Sequence, residues 1–197
     1  MKNILLGLLI YSISTIYAHA QMDSRNPSVG LSVINEQFGV VPPALVFPAN
    51  TGAALTLEWE RKNSGIYRKK RQVELGYLRH APIFQAAYLA WKPKYEWQFN
   101  NGFQLHTLWG IGYLHAFPTE PTYVAENGVY TQQSHRGKPG GMAVVGAGLG
   151  YQMTKNRTRP LTFFVRQEWM IAAPFKINEA FPASLNALLR VGVSVSW

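Results

Sequence analysis

Histidines are the side chains of this 197-residue chain best suited to acid–base chemistry near neutral pH. Apart from His19, they are His80, His106, His115 and His135. An imidazole can act as a general base beside a serine and a carboxylate, or it can bind a metal ion. No two of these histidines have the helical or tight-turn spacing of metal ligands, so we expect no metal and no cofactor. We expect His106 to form hydrogen bonds inside the fold, whereas His80 and His115 are weak catalytic candidates.

A second set of candidate functional residues is charged and alternates with apolar residues along the chain. If the apolar positions face outward, these charged side chains share the opposite, inner face. They are Glu58, Glu60, Glu74, Lys92, Lys94, Glu96, Arg166, Glu168 and Arg190. Charges confined away from water must be paired, and this set comes close to neutrality. We favour a structural ion-pair network over the alternative of a selectivity ring or binding site formed by Arg166, Glu168 and Arg190.

The composition excludes several classes of protein. The absence of cysteine excludes disulfides, cysteine nucleophiles and thiolate metal sites. Hydrophobic residues make up 47% of the chain, which argues against disorder. The mean hydropathy is −0.08, and no stretch after the first twenty residues approaches 18 consecutive apolar residues, so a helical membrane protein is not expected.

The first twenty residues have the pattern of a secretory signal peptide. A short basic start precedes the apolar run Ile4–Ile10, and Ala18 and Ala20 are the small residues of a cleavage site. We therefore expect a signal peptide over residues 1–20 and a single domain over residues 21–197.

Eight segments alternate large apolar residues with small or polar ones at a period of two, which predicts β-strands. The clearest is the last, which is apolar at every odd position over the length of a membrane-crossing strand. The predicted strands are Ser28–Phe38, Thr51–Lys62, Ile66–His80, Pro82–Phe99, Phe103–Phe117, Gly141–Met153, Pro160–Ala173 and Leu189–Trp197.

The links between these strands differ in length in a regular way. Turn-type links follow the second, fourth and sixth strands, and longer links rich in proline, glycine and polar residues follow the first, fifth and seventh. The link after the third strand, near Ala81 and Pro82, is an exception because it is tight. Membrane barrels sort their links in this way, with short turns and both termini on the periplasmic side. The sequence therefore predicts an all-β fold, an eight-stranded antiparallel up-and-down transmembrane β-barrel.

At this point the chain resembles the small eight-stranded outer-membrane β-barrel proteins of Gram-negative bacteria, within an uncharacterised group. Segments such as Gly110–His115 and Leu188–Val193 carry the resemblance, which extends over the whole chain after residue 20. It implies a location in the cell outer membrane and no assigned activity. Val193, Val195 and Trp197 look like the C-terminal signal that such barrels present to their assembly machinery. We expect an integral membrane protein that is not an enzyme and has a structural or surface-contact role.

Three other functions stay open. Some barrels similar to this one are outer-leaflet lipid A hydrolases, which carry a His-x-Ser pair and an acid. Neither His80 nor His115 is followed by that serine. A narrow pore would need an open lumen, which eight strands and many inward charges disfavour. A soluble periplasmic β-protein would bury the odd apolar positions in a core.

The expected partners are outer-membrane lipid, lipopolysaccharide and the barrel assembly machinery. Export argues against nucleic acid as the partner of the basic run Arg68–Arg71, which we interpret as a strand end touching lipid phosphates. The longest link, residues 118–140, is a possible contact site for an unknown partner.

Overall fold

The computed structural model describes residues 25–39, 50–80, 84–119, 123–126, 129–132, 137–153, 160–174 and 183–197. The expected signal peptide lies outside the described residues, as do parts of the longer links. The strands are β1 (Arg25–Phe38), β2 (Asn50–Ser64), β3 (Tyr67–His80), β4 (Phe84–Gln98), β5 (Phe103–Pro118), β6 (Tyr123–Glu126), β7 (Val129–Gln132), β8 (Lys138–Met153), β9 (Leu161–Ala173) and β10 (Ser184–Ser196). The described part of the chain contains no helix long and apolar enough to cross a membrane.

Eight of these strands close into a barrel in the order β1-β10-β9-β8-β5-β4-β3-β2. Every neighbouring pair is antiparallel, including the seam at which β1 meets β10. The predicted fold class is therefore confirmed. β6 and β7 pair with each other within the long link between β5 and β8, and neither of these two strands was predicted.

Three strands begin three or more residues earlier than predicted, and the first of them is β1, which starts at Arg25 rather than Ser28. β10 starts at Ser184 rather than Leu189. The first residues of the strand were not predicted because Leu188 is apolar yet faces the barrel interior, which interrupts the alternation of the sequence. β8 starts at Lys138 rather than Gly141, in a segment of proline and glycine that carries little strand signal.

The outer wall of the barrel is an apolar band. Large side chains at the odd positions are open to the surroundings, with Leu75 and Ile111 both 57% exposed. Others of this kind are Leu31, Val33, Leu55, Leu89, Leu105, Trp109, Val145, Leu149, Val165, Ile171 and Val191. A continuous apolar surface of this size is suited to lipid and not to water. The alternative of a soluble β-protein with these residues in its core is therefore wrong.

Candidate functional site inside the barrel

Five charged side chains meet at mid-height in the lumen and form what we call the central charge layer: Glu74, Lys92, Arg166, Glu168 and Arg190. Arg190 Nη1 lies 2.8 Å from Glu74 Oε1, and its Nε lies 3.0 Å from Glu168 Oε2. Lys92 Nζ contacts the same two oxygens at 2.7 and 3.0 Å. Arg166 Nε adds a contact of 3.0 Å to Glu168 Oε1. The layer therefore links β3, β4, β9 and β10 across the lumen.

Tyr88 completes the central charge layer, although it was not among the predicted functional residues. Its hydroxyl donates to Glu74 Oε1 at 2.7 Å and accepts from Arg190 Nη2 at 3.0 Å. The ring passes so close to Gly76 that a Cβ at this position would overlap it. Glycine at position 76 is therefore required for the hydroxyl of Tyr88 to reach both charged partners.

Nearer the short turns lies a second group of paired charges, the inner charge layer: Glu58, Lys70, Lys94 and Glu96. Lys94 Nζ is 3.1 Å from Glu58 Oε1 and 2.9 Å from Glu96 Oε2. Lys70 Nζ is 3.1 Å from Glu58 Oε1 and 2.9 Å from Glu96 Oε1. Each lysine is thus shared between two carboxylates, and the four side chains are neutral as a set.

The inner charge layer corrects the interpretation of the basic run. Lys70 points into the lumen, and Arg68 Nε approaches Glu60 Oε2 at 3.9 Å on the same inner side. The expectation that all of Arg68–Arg71 touches lipid phosphates is wrong for these two residues. Successive residues of β3 point to opposite sides of the barrel wall. Arg68 and Lys70 therefore face the lumen, whereas Lys69 and Arg71 lie on the outer wall.

His106 lies in the lumen beside the inner charge layer. No hydrogen-bond partner of either ring nitrogen is present among the described residues, so the hydrogen bonds expected of this histidine are not seen there. The ring fits because position 148 is glycine: a Cβ there would lie 2.7 Å from Nε2. Next to it is a cavity of about 30 Å³ that is also lined by Gln72, Gln104 and Thr162. This volume holds a water molecule or two but no substrate.

Above the central charge layer, away from the short turns, the lumen is filled by apolar side chains. We call this group the apolar plug: Ile34, Leu78, Leu114, Met142, Val144, Met170 and Leu188. All are nearly or completely buried. The plug was not predicted, because inward apolar residues beside outward apolar residues leave no period-two signal.

Beyond the apolar plug, Glu36 and His80 face each other inside the outer mouth of the barrel. Glu36 is 1% exposed, and neither carboxylate oxygen has a hydrogen-bond partner among the described residues. His80 Nδ1 lies 3.9 Å from Glu36 Oε2, which is beyond hydrogen-bond distance. Glu36 was not among the predicted inward charges, although it has the same parity as the inward residues Ser32 and Ile34 of β1.

Glu36→Gln is expected to raise the free energy of unfolding by about 1–2 kcal/mol. The change removes a buried charge that lacks a close counter-charge and leaves an amide of the same size, which costs less to bury. Urea titration of the refolded barrel, followed by tryptophan fluorescence, measures the difference. Glu58→Gln is the matched control and should destabilise, since it leaves Lys70 and Lys94 with one carboxylate fewer. A loss of stability in Glu36→Gln would show that the carboxylate is stabilising.

The two candidate catalytic histidines lie on opposite sides of the barrel wall. His80 is inside, with its ring stacked on Phe84 at 5.4 Å between centroids. His115 is on the outer wall, where Nδ1 is 2.7 Å from the Tyr113 hydroxyl and the ring lies 4.6 Å from that of Phe117. They therefore cannot act on a common substrate.

The residues of the proposed assembly signal lie along the seam. Val193 and Val195 pair with Leu31 and Val29 of β1. The backbone N–H of Trp197 donates to the carbonyl of Pro27 at 3.1 Å, and the indole is exposed. The role of Val193, Val195 and Trp197 as a signal stays a prediction.

Comparison with known proteins finds similarity in structure only. No protein-family model matches the sequence, and no curated protein matches it. The crystal structure of Neisserial surface protein A is similar over 87% of this chain and 96% of that one, with a TM-score of 0.50 and 12% identity. The outer membrane enzyme PagL matches over 84% and 97%, with a TM-score of 0.47 and 12% identity. Ail, the attachment invasion locus protein of Yersinia pestis, matches over 87% and 97%, with a TM-score of 0.47 and 13% identity. The closed barrel and its likeness to Neisserial surface protein A give this chain the eight-stranded fold of the small outer-membrane β-barrels.

Proposed function

We propose that this chain is an integral protein of the cell outer membrane with a structural role, closed along its lumen and available for contact at its outer links. The single observation that carries the proposal is the closure of the lumen by side chains on three levels, the inner charge layer, the central charge layer and the apolar plug. A barrel filled in this way can span lipid without conducting.

The central charge layer supports a structural role over a selectivity ring. Arg190 and Lys92 each contact both Glu74 and Glu168. A group that binds or conducts ions must leave part of its charge available to them. Here the two cations and the two carboxylates are paired with each other. With the apolar plug above them, ions would also have to pass a group of buried apolar side chains.

The hydrolase alternative has less support from the geometry. A lipid A hydrolase needs its base at the outer wall, beside the lipid. His80 faces the lumen, and His115 contacts Tyr113 and Phe117 on the wall. His115 is on the wall, but the residue two positions after it is Phe117 and not the serine of a His-x-Ser pair, so the structural role has more support.

We expect the protein to fractionate with the outer membrane and to change its gel mobility on boiling, as a folded membrane barrel does. Planar bilayers containing the refolded protein should show no conductance steps above those of protein-free bilayers. Release with the soluble periplasmic fraction, without a mobility shift, would refute membrane insertion. Reproducible channels would refute the closed lumen.

Incubation of the refolded protein with lipid A, read by mass spectrometry, separates the structural role from the hydrolase. We expect no loss of acyl chains. Deacylation that disappears in His115→Ala or in His80→Ala would establish the enzyme instead.

A further inference from the structure

Three cations line the outer wall near the short turns, and we call them the basic outer patch: Lys62, Lys69 and Arg71. A bulge between Glu60 and Lys62 sets Lys62 directly opposite Lys69 across β2 and β3. Like charges directly opposite each other destabilise a pair of strands. Arg71, two residues along from Lys69 on the same face, adds a third positive charge. An anion lying over the three side chains would offset this repulsion.

The barrel itself does not supply that anion within the described residues. The nearest acids, Glu58, Glu60 and Glu96, all face the lumen, where Arg68, Lys70 and Lys94 contact them. The partner of Lys69 in the structure is a ring: its Nζ lies 5.4 Å from the centroid of Tyr95. Among the described residues the outer face therefore provides no acid to pair with the basic outer patch, which leaves these cations available to an anion of the lipid.

The side chains on either side of the basic outer patch match the position of a phospholipid, whose headgroup lies at the membrane surface and whose acyl chains lie in the apolar band. On the side of the short turns, Tyr67 contacts Tyr95 and Trp97 at 6.4 and 5.8 Å between centroids, as in an interfacial girdle. On the other side, the outward residues become apolar along the same strands, and Leu55 and Leu75 are more than half exposed. A phosphate at the patch would thus have its acyl chains along the apolar band.

The position of the patch along the barrel indicates which leaflet of the membrane it contacts. β1 begins and β10 ends at the end that carries the turns after β2 and β4, since Ser28 pairs with Ser196 and with Glu58. In membrane barrels the termini and short turns are periplasmic. The lipid next to the patch is then a phospholipid and not lipopolysaccharide.

We propose that the basic outer patch binds the phosphodiester headgroup of an anionic phospholipid, phosphatidylglycerol, in the periplasmic leaflet. This inference rests on the proposed function, because it requires the barrel to be inserted in a membrane. Lys62 and Lys69 flank the phosphate, Arg71 approaches it from the acyl-chain side, and Tyr95 holds the Lys69 side chain at the height of the headgroup.

The test compares lipids retained by the folded full-length protein. The protein is released by detergent from nanodiscs with equal fractions of phosphatidylglycerol and phosphatidylethanolamine, and bound lipids are counted by native mass spectrometry. We expect wild type to retain phosphatidylglycerol in preference. Lys69→Gln/Arg71→Gln should reduce that preference about tenfold or more, since each cation near a membrane surface contributes on the order of fivefold in affinity.

The matched control is Arg79→Gln/Lys138→Gln, which removes the same charge from exposed positions toward the other end of the barrel. It should retain the wild-type preference. Equal loss in both double variants, or no preference in wild type, would overturn the inference. The mobility shift on boiling separates this failure from failure of the proposed function: a chain that shows the shift without the lipid preference refutes the patch alone.

Discussion

Arg190→Met is expected to lower the free energy of unfolding by about 3–5 kcal/mol, the cost of breaking a buried ion pair by removing one partner. Arg190 is completely buried and contacts Glu74, Glu168 and the Tyr88 hydroxyl. Methionine fills much of the space but provides no donor. Two carboxylates would then depend on Lys92 and Arg166 alone, in a lumen that admits little water.

Urea titration of the refolded variant in lipid vesicles measures this loss, with gel mobility on boiling as a check that the barrel has formed. The informative control is Arg190→Met/Glu168→Gln, which removes one positive and one negative charge. We expect the double variant to be more stable than the sum of the two single changes predicts, by about 0.5–3 kcal/mol, because the two residues are in contact. Strict additivity would mean that the central charge layer does not act as a unit.

Gly76→Ala is expected to cost about 3 kcal/mol or more, a large effect for one methyl group. The new Cβ would overlap the ring of Tyr88, not a flexible side-chain end. Overpacking alone costs about 1–3 kcal/mol. Displacing the ring also breaks the hydrogen bonds of its hydroxyl with Glu74 and Arg190, each worth about 1.5–3 kcal/mol because the partners are charged.

Two comparisons isolate the overlap at Gly76. In Gly30→Ala, also inside the barrel, the nearest atom to the new Cβ is the Cβ of Ser194 at an ordinary 3.4 Å, so we expect stability close to wild type. In a Tyr88→Ala background, Gly76→Ala should have little further effect, since the ring is gone. A large loss in that background would assign the cost to the backbone of β3 and not to Tyr88.

Alternation made the direction of most side chains predictable from the sequence. Where polar and apolar residues alternate strictly, as at Glu58, Glu74 and Glu168, a strand with one face toward lipid has only one possible orientation. Lys70 follows the same parity as Glu74 but was assigned to the surface, because a run of four basic residues looks like a solvated end. The parity of Lys70 along β3 already indicated that its side chain faces the lumen. Parity is thus a better guide to side-chain direction here than the charge of neighbouring residues.

Pairing inside the lumen could not be predicted in the same way. Lys92 contacts Glu168, which is far away in sequence, only because the strands are staggered as they close, and stagger is a property of the whole barrel. Tyr88 and Leu188 lie where both faces of the strand carry apolar residues, so no pattern shows which face is inside. The sequence predicts that the inward charges form ion pairs. Which residues pair with each other can be seen only in the closed structure.

The seam between β1 and β10 has a consequence for the order of assembly. Contacts between the first and last strands are the most distant in sequence, and they form at the highest cost in chain entropy. Arg190 is on β10, so Glu74 on β3 gains its guanidinium partner only when the last strand arrives. A nascent sheet without β10 would leave Glu74 and Glu168 with fewer cationic partners, and closure brings Arg190 into contact with both. The ion pairs of Arg190 therefore favour the closed barrel over a partly assembled intermediate that lacks β10.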